Sequence, residues 1–109
     1  MSPAGHPVLS AALVVLFTTA VAAQLPMGEE KQALIEQAQA LHREALDRGV
    51  DLGPGPCLGI VGGDWAVDVV HVPRSSADER PGNQCEAYRS GQVGHFIELD
   101  ARGELVRMR

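Results

Sequence analysis

Gly28–Arg48 reads GEEKQALIEQAQALHREALDR, and the spacing within it predicts one long helix. Leu34, Ala38, Leu41 and Ala45 recur at intervals of four, three and four residues, a stripe down one face that Ile35 and Leu46 widen. Glu29 and Glu30 fall in the first turn and Arg43 and Arg48 near the end, so the charges complement the helix dipole. Gly49 stands where a left-handed residue closes a helix, and Val50 or Leu52 can fold back on the last apolar turn. A stripe rich in Ala and Leu suits packing against a sheet, so the rest of the chain is expected to supply one.

Downstream, Gly53-Pro54-Gly55-Pro56 ends regular structure, because two prolines cannot continue a helix. Cys57–Val61 (CLGIV) reads as a short strand, broken by Gly62 and Gly63. Asp64–Val72 (DWAVDVVHV) gives the clearest strand pattern: Trp65, Val67, Val69 and His71 alternate with Asp64, Ala66, Asp68 and Val70, and Pro73 stops it. Arg74–Asn83 (RSSADERPGN) is a polar loop of turn-forming residues. Asn83 then stands as the cap of a short helix with Glu86 in capping-box position and Gly91 closing it, which puts Cys85 in the first turn.

His95–Met108 (HFIELDARGELVRM) reads as a hairpin turning at Asp100-Ala101-Arg102-Gly103. Its expected register sets Leu99 opposite Leu105, Glu98 opposite Val106 and Phe96 opposite Met108. Apolar residues then fall on both faces of the sheet, so one face meets the helix and the other is covered by a loop or a partner chain. This closing segment looks like that of small exported helix-plus-sheet modules, the PepSY-type domains among them, and the likeness implies a helix laid on an antiparallel sheet. The fold class that follows is α+β: one long N-terminal helix packed on a small three- to four-stranded, mainly antiparallel sheet, with a short second helix and one disulfide.

Upstream of the helix, Val8–Ala23 (VLSAALVVLFTTAVAA) carries no charge and ends in small residues. The run is short for a bilayer span and offers signal peptidase a small −3/−1 pair, so residues 1–23 are read as a signal peptide cleaved after Ala22 or Ala23. Residues 24–109 are then a single small exported domain, secreted or periplasmic. A core of that size is marginal and gains from a staple. Cys57 and Cys85 are the two cysteines of the chain, and in an oxidising compartment they are expected to join. Closing that loop stabilises by roughly 3–4 kcal/mol in the chain-entropy model.

All charged side chains lie after Ala23 and sum to −5, a sign that disfavours nucleic acid and anionic lipid as partners. Trp65, Tyr88 and Phe96 are too few aromatics for a stacking platform. Asp64, Asp68, His71 and His95 are the ligand types nearest to a metal set, but His71 points to the opposite strand face from Asp64 and Asp68, and no HxH, HExxH or paired CxxC spacing supports them. The two cysteines lack the CxxC spacing of a redox turn. Of the paired carboxylates, Asp78/Glu79 lie in the loop and Glu98/Asp100 share a strand face. No nucleophile elbow is present, and Gly53, Gly55 and Gly59 do not form a dinucleotide fingerprint.

The reading that remains is a non-catalytic exported module without a cofactor, binding another exported protein or a peptide, with Trp65 and Tyr88 as candidate contact residues. The alternatives are a small metal-binding or metal-dependent protein using His71, His95 and Asp68, and a membrane-tethered accessory subunit that keeps its N-terminal anchor.

Overall fold

The computed structural model describes residues 27–109; the expected leader and its cleavage point lie outside the described residues. The long helix, α1, covers Met27–Asp47. It buries Leu34, Ala38, His42 and Ala45, while Leu46 is half exposed. The apolar stripe therefore runs through His42 where the sequence pointed to Leu46. Its end is a Schellman closure: Gly49 adopts φ +74°, its N–H donates to the Leu46 carbonyl, and Val50 N–H reaches back to Ala45. Leu52 completes the closure by packing with Ala45 and Val69.

Four strands follow, β1 Cys57–Val61, β2 Trp65–Val69, β3 His95–Leu99 and β4 Leu105–Met108, with a short helix α2, Glu86–Arg89, between β2 and β3. Their order in the sheet is the order in the chain. β1/β2 and β3/β4 are antiparallel, while the central pair β2/β3 is parallel. A parallel pair needs a long crossover, and residues 70–94 supply it. The crossover contains a cis Val72–Pro73 bond near its start and passes through two 3₁₀ turns, Ser76–Glu79 and Pro81–Asn83, into α2. Asn83 thus ends a 3₁₀ turn, and Cys85 is the N-cap of α2, one position before its first turn.

The alternation read from β2 sorts the two faces of the sheet. Val67, with Ile97 and Leu99 of β3, packs under Leu34 and Ala38 of α1. Ala66 faces the other way, beneath Cys85 and Val93 of the crossover. The hairpin turn is where the sequence puts it, and Leu99 does pair with Leu105, but a bulge at Val106 then shifts the register. Glu98 pairs with Arg107 in place of Val106, and Ile97, in place of Phe96, pairs with Met108. α1 also grips the hairpin: His42 Nε2 lies 2.9 Å from the Ala101 carbonyl oxygen, and Gln39 Nε2 donates to the Gly103 carbonyl at 3.0 Å.

Candidate functional site

On the face away from α1, parallel pairing sets Ala66 beside Phe96 and Asp68 beside Glu98. Cys85 and Val93 cover Ala66, and the crossover leaves open a cleft of about 420 Å³ beside the two carboxylates. Asp68, Arg74, Tyr88, Phe96, Glu98 and Arg107 give the cleft its character. The Tyr88 ring meets Phe96 edge-on at 5.1 Å, and the Arg107 guanidinium lies 4.9 Å from the Phe96 centroid.

The two carboxylates have different surroundings. Glu98 is only 4 % exposed and accepts from Arg74 Nη1 at 2.8 Å and from Arg107 Nε at 2.7 Å. Arg74 also donates to Glu79, and this bond, followed by the one to Glu98, holds its guanidinium proton more firmly than usual. Among the described residues no guanidinium is bonded to Asp68; it accepts the Cys85 backbone N–H at 3.1 Å. Burial pushes its carboxyl up to about 7, Glu98 adds to the push, and the Cys85 N–H and Arg74 offset part of it.

Beside the cleft stand the residue types of a nucleophilic triad, Ser75, His71 and Asp78. Asp78 Oδ1 lies 2.8 Å and Ser75 Oγ 3.1 Å from the same ring nitrogen, His71 Nδ1, while Nε2 donates to the Gly53 carbonyl at 2.8 Å. A relay needs the nucleophile and the acid on opposite nitrogens. This arrangement is a clip in which both ring nitrogens face oxygen acceptors. The bond to Asp78 raises the His71 pKa above its ordinary value. Burial works to raise Asp78, but the Ser75 N–H and the His71 ring and backbone N–H outweigh it, and the carboxyl falls below its usual range. The clip ties the loop after α1 to the end of β2 and the start of the crossover.

The expected disulfide is present: Cys57 of β1 and Cys85 of the crossover are joined, with Cα atoms 4.8 Å apart. Trp65 lies on the α1 face, stacked on His95 at 4.4 Å, whereas Tyr88 lies across the sheet beside the cleft. The two contact candidates are therefore on opposite faces. His71, His95 and Asp68 do not converge. His71 lies past the end of β2 and His95 at the start of the parallel β3, about 20 Å apart along the strands. Asp68 faces the crossover, and His95 Nε2 has Asp64 at 3.6 Å as its neighbour.

One cluster of ligand-type atoms within 4.8 Å of one another occurs among the described residues, formed by Cys57, Asp68 and Cys85, and its two sulfurs are bonded to each other. Neither carboxylate pair singled out in the sequence acts as a pair. Asp78 belongs to the clip and Glu79 to Arg74, while Asp100 accepts the Arg102 and Glu104 N–H groups of the turn, at 2.9 and 3.0 Å. Arg74, Phe96 and Arg107 escape sequence reasoning as site residues, because only the parallel pairing and the Val106 bulge bring them to the cleft. No family model, curated protein or solved structure matches the chain. Among the described residues, no helix is long and apolar enough to cross a membrane.

Proposed function

We propose that the chain is a small, non-catalytic exported module that binds a protein or peptide segment in the crossover cleft. The carrying observation is the composition of that cleft: the Tyr88–Phe96 pair with Arg107 against it, in a concavity of about 420 Å³. Tyrosine and arginine supply much of the energy of protein contacts, since each offers a large apolar area and directional donors together. The volume suits a few side chains of a partner, and Arg74, Arg89 and Arg107 line it together with Asp68, Asp78 and Glu98, so donors and acceptors stand side by side around the aromatic pair. A short segment that offers an aromatic side chain is the complement. The uncharged run Val8–Ala23 and the joined cysteines support export.

The test is affinity capture from the exported fraction of the source cells, with the oxidised chain lacking residues 1–23 as bait. The same experiment with Tyr88→Ala/Arg107→Ala, checked for folding by circular dichroism, locates the contact. A saturable partner held by the parent chain and lost by the double variant supports the proposal. A partner retained equally by both moves the contact elsewhere, and no saturable partner at all overturns the binding role.

A further inference from the structure

The disulfide has two unlike ends and a carboxyl beside it. Cys57 lies on the edge strand and is exposed, whereas Cys85 is 1 % exposed under the crossover. Both sulfurs and a carboxylate oxygen of Asp68 fall within 4.8 Å of one another. Cys85 Sγ also lies 3.4 Å from the Val67 carbonyl oxygen, which would accept a thiol S–H there. From this geometry we infer that Cys57–Cys85 is an exchange-competent disulfide that an external dithiol opens at Cys57, with Asp68 giving the departing Cys85 sulfur its proton.

The step balances with the dithiol as reductant. One of its thiolates attacks Cys57 Sγ, a sulfur–sulfur bond forms to Cys57, and the bond to Cys85 breaks. The electron pair goes to Cys85 Sγ, which takes the Asp68 proton and becomes a thiol facing the Val67 carbonyl. The second thiolate of the reductant then attacks its own bound sulfur, releasing Cys57 as a thiolate that is protonated from water. The reductant leaves as a disulfide, two electrons poorer. In the reverse direction the Asp68 carboxylate takes the proton from the Cys85 thiol.

A buried sulfur is a poor leaving group as an anion, because a thiolate loses its hydration there and exchange rates depend on the leaving thiol's acidity. A nearby proton donor removes that obstacle. An ordinary aspartate has none to give at neutral pH, but burial keeps one on Asp68 up to about pH 7. The charged groups facing it are Glu98 from β3, which favours the protonated form, and Arg74 from the segment after β2, which opposes it. From the crossover it meets the Cys85 N–H, and from β1 the uncharged Cys57.

The probe is dithiothreitol, with reduction of the folded protein followed from about pH 5 to pH 9 and each rate divided by the concentration of attacking thiolate. The expected result is a normalised rate that is highest below about pH 7 and falls above it, with Asp68→Asn roughly tenfold or more slower at about pH 6 and lacking the break. A parent rate no faster than global unfolding, or a pH-flat profile shared by parent and variant, overturns the inference. A second measurement needs no variant: brief exposure to glutathione, acid quench and peptide mapping. The mixed disulfide is expected on Cys57; finding it on Cys85 overturns the order of events.

Discussion

Asp68 departs furthest from what its residue type would do in water. Its carboxyl is raised to about 7 from an ordinary value of 3.8, so the folded chain holds a proton that the unfolded chain has released. The sign follows: between about pH 4 and pH 7 the folded state binds more protons, and stability falls as pH rises through that window. Asp68→Asn keeps an oxygen for the Cys85 N–H and removes the titration. It should raise Tm at about pH 8 by some 4–8 °C, corresponding to on the order of 1 kcal/mol after allowance for partial solvent screening, and change little at about pH 5. Thermal melts at the two pH values check this. The His71–Asp78 clip has the opposite dependence at each end. His71, with a raised pKa, contributes fully below its ordinary 6.5 and loses that contribution as pH rises through the folded value. Asp78, with a lowered pKa, contributes above its ordinary 3.8 and loses it as pH falls through the folded value. Amide protection around residues 53–55 and 75–78, taken relative to the intrinsic exchange rate at each pH, should therefore be greatest between those limits. Asp78→Ala, which orphans the Ser75 and His71 N–H groups, should cost roughly 1–3 kcal/mol in chemical denaturation.

At the scale of elements, what was legible depended on how local the determinant is. α1 and its Schellman end were readable because the stripe and Gly49 lie within a few residues of what they dictate. The turn at Asp100–Gly103 was readable for the same reason, since Asp100 caps its own loop. The parallel pairing of β2 with β3 was not, because no residue inside either strand encodes the direction of its neighbour; the length and cover of the crossover decide it. The Val106 bulge was hidden by apolar residues on both sides of β4, so that either register buries something. His42 was passed over for Leu46 because its burial depends on distant groups: the Ala101 carbonyl accepts from it, and Gly103 leaves room for its ring. Gly103 has φ +86°, and a Cβ built there would lie 2.8 Å from His42 Nδ1. Gly103→Ala should therefore cost about 1–3 kcal/mol and loosen the hairpin from α1, visible in denaturant midpoints and in faster exchange along β4. The candidate cleft inherits both non-local features, since Arg107 reaches Glu98 through the bulge and Asp68 through parallel pairing lies next to it.

Over the whole molecule, the sheet is covered on one face by α1 and on the other by a crossover that sets only Cys85 and Val93 against Ala66 as a buried apolar cluster. The crossover is held mainly by polar ties and by the bond to Cys57, so the staple matters more to the cleft face than to the α1 face. Cys57→Ser/Cys85→Ser should lower unfolding free energy by roughly 3–4 kcal/mol, read from urea titrations, with amide protection lost first in residues 74–94. Compartment, staple and binding role rest together on passage through a membrane into oxidising surroundings. The intact mass of the natural protein, isolated with its thiols blocked at once by alkylation, tests that passage most directly. The predicted species lacks the first 22 or 23 residues, carries no alkyl group and is lighter than its dithiol form by two hydrogens; a full-length chain alkylated on both cysteines would contradict the account.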